Sequence, residues 1–166
     1  SWNFDDPASG TNNTSTDIQP THIFTAPGTY EVTVTATVGA ETASETATVI
    51  IYEPPVATLP PDIILCDFTG NLHIDLVNHS PHILGSLDSD VFGINFYEGM
   101  DNYNNGIKIS NPTSYLGPSN FYIQEIVAEV YNKGNPACTD VVSFNVGIDR
   151  KPKLKPKEEI MSLNLC

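Results

Sequence analysis

The stretch TYEVTVTATV (residues 29–38) alternates without a break. Tyr30, Val32, Val34, Ala36 and Val38 fall on one side of an extended chain, and Glu31, Thr33, Thr35 and Thr37 on the other. Side chains of a strand point to opposite faces in turn, so this period of two predicts a strand with one face packed and one wet. GAET (39–42) then turns the chain. TASETATVIIY (42–52) runs back, with Ala43, Glu45, Ala47, Val49 and Ile51 together on one side. Thr-rich outer faces suit an exposed antiparallel sheet. Just upstream, TAPGTY (25–30) reads as a turn, with Pro27 presetting φ and Gly28 free to take φ > 0. Residues 1–53 supply three or four strands, about half of an immunoglobulin-like sandwich of ~100 residues. The expectation is a first sandwich incomplete at its N-terminus.

Moving outward, EPPVATLPPD (53–62) holds four prolines, which cannot sit in a ladder. It predicts a stiff extended linker over 54–61. A second β module is expected over 62–149. Its strands are DIILC, NLHIDL (71–76), VFGINFYEG (91–99), the long FYIQEIVAEVY (121–131) and TDVVSFNVGI (139–148). GMDNYNNG (99–106) reads as a turn with at most one helical turn, NHSPH (78–82) as a loop, and NKGNPA (132–137) as another loop. DRKPKLKPKEE (149–159) contains a basic, proline-rich linker over 150–159. IMSLNLC (160–166) then stands where DIILC stood, as the first strand of a following repeat. The fold class is therefore all-β, as tandem immunoglobulin-like β-sandwiches joined by Pro-rich linkers.

Charge narrows the function. The 166 residues carry a net charge of -13, and residues 1–107 contain 14 Asp or Glu with no Lys or Arg. Five of the seven basic residues lie between Arg150 and Lys157. Such a body repels phosphate backbones and anionic lipid, so nucleic acid and membrane surfaces are poor partners. No apolar run approaches the ~18 residues of a membrane span.

Two resemblances rest on specific motifs. WNFDD (2–6) and PTHIFTAPGTYEVTVT (20–35) resemble the PKD family, whose Trp-Asp-Phe-Gly-Asp and His-x-Tyr-x-x-x-Gly-x-Tyr-x-Val stretches they parallel. This sequence has Asp5 where the family has Gly. ILCD (64–67), HIDL (73–76), INFYEG (94–99), ISNPTSY (109–115), AEVYN (128–132), Cys138 and VVSFNVGI (141–148) resemble, in that order, the repeats of large SprB-type gliding-motility adhesins of Bacteroidetes. The resemblances imply an extracellular, bacterial cell-surface location and export by the type IX secretion system. They also imply a non-catalytic stalk acting in gliding or surface attachment. Its partners would be neighbouring repeats of the same polypeptide, the secretion and gliding machinery, and surface polysaccharide. The alternative is an accessory carbohydrate- or polymer-binding module of a secreted hydrolase.

This setting bears on the candidate residues. The three cysteines are Cys66, Cys138 and Cys166. An extracellular module whose first and last strands are neighbours makes a Cys66–Cys138 disulfide the leading expectation. It would contribute roughly 4 kcal/mol in the chain-entropy model. Two buried thiols are the alternative, metal ligation comes third because no CxxC exists, and Cys166 is an orphan. No cofactor is expected, with Asp88 and Asp90 (DxD), and likewise Asp5 and Asp6, as candidate Ca²⁺ ligands weighed against plain solvation. His79 and His82, near Asp75, form an HxxH read as solvated loop residues, and His22 reads as a structural hydrogen bonder. No GxSxG elbow or phosphate-cradling glycine loop marks an enzyme. Trp2, Tyr97, Tyr103, Tyr115 and Phe121 are candidates for stacking on sugars or for core. Asn12, Asn13 and Asn78 lie in Asn-x-Ser/Thr sequons.

Overall fold

A computed structural model describes residues 1–67, 73–117 and 122–150. The first region is one four-stranded sheet in the order β2-β1-β3-β4, built from β1 (Trp2–Asn3), β2 (Thr14–Ser15), β3 (Gly28–Val38) and β4 (Glu41–Ile51). The β3–β4 hairpin pairs from Gly28↔Ile51 to Val38↔Glu41, leaving a two-residue turn. Gly39 has φ 63° and Ala40 does not enter the positive region. That combination defines a type II′ turn, whose twist matches the flanking strands. Thr33 and Thr46 hydroxyls meet across the wet face at 3.0 Å, and Thr48 Oγ1 donates to Glu31 at 2.8 Å.

On the apolar face an aromatic chain covers one end. Phe4 stacks on His22 at 4.2 Å, His22 meets Phe24 edge-on, and Phe24 leans on Tyr30. The Tyr30 hydroxyl donates to Ala26 O at 2.6 Å, so the ring pins the turn that precedes its own strand. Further along, Ala36, Val38, Ala43 and Ala47 are exposed.

The second region has a sheet in the order β5-β10-β9-β7, from β5 (Ile63–Asp67), β7 (Phe92–Glu98), β9 (Ile123–Asn132) and β10 (Asn135–Arg150). β10 pairs antiparallel with β9 and parallel with β5. Phe92, Phe96, Ile126, Ala128, Val130, Phe144 and Val146 face one way and are buried. The layer against them comprises the short pair β6 (His73–Ile74) and β8 (Tyr115–Leu116), helix α1 (Ser80–Leu84), and Leu76. Burying each such side chain stabilises by about 1.5–3 kcal/mol. The reverse face of β7 and β9 lies against helix α2 (Gly99–Asn104), where Val127 and Tyr97 are also buried. The chain is all-β and immunoglobulin-like, with short helices only at connections.

Several local expectations need correction. The longest strand is β10, 16 residues, not the 121–131 stretch. It starts at Asn135, because only Lys133 and Gly134 turn and an irregularity between Asn135 and Thr139 absorbs the misfit that reads as a loop in the sequence. NHSPH is helical: Pro81 sits in the first turn of α1, where its missing N–H costs nothing. NLHIDL contributes only His73 and Ile74 as strand, and Leu72 lies outside the described residues, as does Phe121. Arg150 belongs to β10, and the rest of the 150–159 linker and all of 160–166 lie outside the described residues.

Asp5 holds φ 60°, the left-handed region that side chains avoid. Its carboxylate accepts from Glu31 N at 3.0 Å, which offsets that strain. Asp5→Gly relieves the strain but loses the bond, so stability should stay within ~1 kcal/mol of the parent. Asp5→Val keeps the strain, loses the bond and should cost about 2–3 kcal/mol. Urea melts read through the single tryptophan, Trp2, measure both.

Candidate functional site: the inter-module junction and the two thiols

The proline stretch is extended, but it is no free spacer. Pro55 and Pro60 are buried. Ala57 N donates to Asp140 at 2.9 Å, and Thr58 N donates to Ile83 O at 2.8 Å, satisfying a carbonyl in the last turn of α1. Thr58 also lies where a Cβ on Gly85 would stand, 2.6 Å from its hydroxyl. Gly85 ends α1 with φ 57°, so the helix stop and the strap need the same bare position. His79 approaches Pro61 O at 2.8 Å, and Asn145 N donates to Asp62 at 2.8 Å. The Asn145 backbone bond, followed by its side-chain bond, holds the Asp62 carboxyl below the usual range.

The first module meets the second at the β9–β10 turn. Asn132 is 3% exposed; its Nδ2 donates to Glu53 O at 3.0 Å and its Oδ1 accepts from Gly134 N at 2.8 Å. The Tyr52 ring lies 2.5 Å from where a Cβ on Gly134 would stand. Lys133 locks the other side, with N to Val91 O and Nζ to Ser89 O. A tyrosine, a peptide carbonyl and a buried amide thus fix how the strap enters.

The cysteines are the largest departure from expectation. Cys66 and Cys138 are free, the first exposed and the second half-buried. The reason is geometric. Cys66 pairs in register with Asp149, and Cys138 lies eleven positions earlier on the same strand β10. At ~3.3 Å per residue the two are roughly 35 Å apart. A disulfide needs Cα atoms within about 7 Å, so the Cys66–Cys138 bridge does not form in this fold. First and last strands are indeed neighbours, but they run parallel, which puts the two thiols at opposite ends. Cys138 stands at the junction end and Cys66 at the end where β10 stops.

The other candidates serve local structure. Asp88 accepts from Asp90 N at 2.8 Å and so closes its own turn. Asp6, 2% exposed, accepts from Thr25 Oγ1 at 2.6 Å, Thr25 N at 3.0 Å and His22 Nε2 at 3.1 Å. His79 and His82 rings are 5.1 Å apart, with His79 also against Phe144. Among the described residues no three His, Cys, Asp or Glu side chains converge. Asn13 of the sequon pair caps Asp6 N. Of the aromatic candidates, Tyr97 is buried and donates to Glu129 at 2.7 Å, Tyr103 meets its edge, and Tyr115 is buried. Burial, then the Glu129 carboxylate, raises the Tyr97 hydroxyl above its usual range; burial, then Glu98, does the same for Tyr115. No helix among the described residues is long and apolar enough to cross a membrane.

Two immunoglobulin-like β modules joined by a docked strap, with a thiol at each end of the second, define a class: modular β proteins. Family comparison agrees. Residues 62–152 match the Flavobacterium inter-domain disulphide bond domain, and residues 1–51 match a PKD domain. The chain belongs to the Flavobacterium inter-domain disulphide bond domain family. No curated protein and no solved structure matches it. The two domains together mark an extracellular surface protein of Bacteroidetes type. The first-module resemblance holds as PKD; for the second, the matching family is the disulphide domain.

Asn132→Ala leaves Gly134 N–H and Glu53 C=O without partners and should cost about 2–3 kcal/mol. It should also speed proteolysis between residues 53 and 62, read by mass spectrometry of the nicked chain. For Asp6, the Thr25 hydroxyl bond lowers the carboxyl below its ordinary 3.8, against the opposing effect of burial. A depressed carboxyl stabilises above its unfolded value near 4 and loses that contribution as pH falls through the lower folded value. Trp2 fluorescence should therefore show the first module melting below about pH 4, and Asp6→Asn should abolish that step.

Proposed function

We propose that the chain is a non-catalytic segment of a large secreted cell-surface adhesin, acting as a stalk in gliding motility or surface attachment after type IX export. The observation that carries this reading is the placement of Cys138 and Cys66 at opposite ends of β10, too far apart for each other. Thiols at the two ends of a rod suit partners in neighbouring modules, and the family's own description names an inter-domain disulphide. Mechanics supports it. The strap enters at the junction end and the chain leaves beyond Arg150, so tension runs along β10. Its bonds to β9 and β5 lie across that axis and are loaded together in shear, rather than one at a time.

A second reading, an accessory polymer-binding module, draws on one feature. A cleft of about 450 Å³ is lined by Glu98, Asn102, Lys108, Asn111, Ser114 and Tyr115. These groups suit hydroxyl-rich ligands, but Tyr115 is buried and offers no stacking face. Saturable retention on a polysaccharide column, lost in Glu98→Ala, would favour this reading over the first.

The stalk reading is checked by non-reducing peptide mapping of the natural surface polypeptide. Cys66 and Cys138 should be recovered joined to cysteines outside residues 62–149. Recovery of Cys66 joined to Cys138 would overturn it.

A further inference from the structure

The sheet of the first module ends on one bare edge. β4 lies at the margin of the order β2-β1-β3-β4, is 11 residues long, and is exposed over residues 41–48. The opposite margin, β2, has only two residues. Sheet edges are blunted by proline, lysine, a bulge or shortness. β4 has none of these. Its sequence is ETASETATVII, and it pairs with β3 in unbroken register from Glu41 to Ile51.

The pairing of β3 fixes where the free backbone groups of β4 point. The Ser1 amine donates to Thr35 O at 2.7 Å, and Thr35 N donates to Ser1 O at 2.8 Å. Thr35 therefore turns its peptide groups away from β4, and its neighbours Val34 and Ala36 turn theirs toward it. Ala36 opposes Ala43, so the odd-numbered residues of β4 bond to β3. The even-numbered ones, Thr42, Ser44, Thr46, Thr48 and Ile50, aim N–H and C=O outward. Among the described residues no strand meets them.

Another β4 fits this edge. Antiparallel pairing about a two-fold axis at Thr46 uses every position of the strand. It sets Thr46 opposite Thr46, Ser44 opposite Thr48 and Thr42 opposite Ile50 of the second copy. These are outward residues against outward residues, the bonded pairs that an antiparallel ladder needs. The hydroxyl row in which Thr33 meets Thr46 at 3.0 Å runs on into the same row of the second copy. On the other face Ala43 meets Val49 and Glu45 meets Ala47. Cross-strand Thr pairs stabilise, whereas like charges directly opposite destabilise. Here no carboxylate opposes a carboxylate, and the two Glu45 groups stand on a diagonal, ~7–8 Å apart. A two-fold at Glu45 would set them face to face, and one at Ala43 would set Glu45 against Glu41. The positions of the charges select the register.

We propose that β4 is a homophilic contact edge, at which two copies of this chain join into one continuous sheet, antiparallel about Thr46. The proposal goes beyond the stalk reading and does not depend on it. A single strand edge falls short of the ~1,600 Å² of a standard interface, so the contact is weak.

The test uses the 166-residue chain carrying Cys66→Ser, Cys138→Ser and Cys166→Ser. Sedimentation equilibrium up to roughly 1 mM, the range of weak contacts, should show a monomer–dimer equilibrium. Raising salt from ~0.1 to ~1 M shortens the screening length from about 10 to about 3 Å and should tighten the dimer, because the acidic copies repel less. Thr46→Pro removes an outward N–H and no bond to β3, so the fold should hold while the dimer weakens at least tenfold. Should the Trp2 fluorescence melt show that variant unfolded, Thr46→Lys sets two ammonium groups opposite each other and should weaken the dimer likewise. Register is read by cross-linking with oxidised glutathione in the same cysteine-free background. Thr46→Cys should give a disulfide-linked dimer, and Glu41→Cys, opposite Ile51, should not. A monomer at every concentration, a dimer indifferent to Thr46→Lys, a dimer that loosens in salt, or equal cross-linking by Glu41→Cys would each overturn the proposal. None of these measurements involves the natural thiols, so the stalk reading stands or falls separately.

Discussion

Everything in the second module is arranged around β10. One strand of 16 residues is hydrogen-bonded on both sides, antiparallel to β9 and parallel to β5. The parallel pairing is the constraint that matters most. It points the first strand the same way as the last, and the register, with Ile63 opposite Val146, sets β5 beside the far end of β10, so the chain passes the first part of β10 before β5 begins. The proline strap makes that journey, anchored at Asp140, Ile83 and His79 on the way. The path of the strap and the positions of the thiols follow from that direction and register.

Period-two alternation makes the hairpin legible, since Tyr30 through Val38 has one apolar face and the pairing partner repeats it. The strands β7, β9 and β10 are legible for the same reason. What the pattern does not carry is direction. A parallel and an antiparallel first strand have the same alternation, yet they put Cys66 at opposite ends. Alternation yields the right neighbours and the wrong distance. The strap is obscure for a different reason: prolines report that a segment leaves the ladder, and say nothing about whether its side chains are covered. Pro55 and Pro60 are covered because Gly85 and Asp140 leave room and a partner for the residues between them.

Acidic residues show a similar division. A charge count reveals an anionic body, but not which carboxylates face water. Asp6 is buried and saturated by Thr25 and His22, Asp140 caps the strap, and Asp88 closes a turn. In each short-range acidic pair, Asp88 with Asp90 and Asp5 with Asp6, at least one carboxylate accepts from a backbone N–H. Asp5 is the instructive case: it stands at a glycine position of the family pattern, keeps the glycine conformation, and holds it with its own carboxylate.

The docked strap has one more consequence. Because residues 55–62 belong to the second module's packing, the two modules are separated by little more than Tyr52 and Glu53, and both of those are held by Gly134 and Asn132. Those two contacts restrict the swivel between them. Links of this kind resist twisting as well as stretching, so a filament made of them would pass a rotation at its base to its far tip.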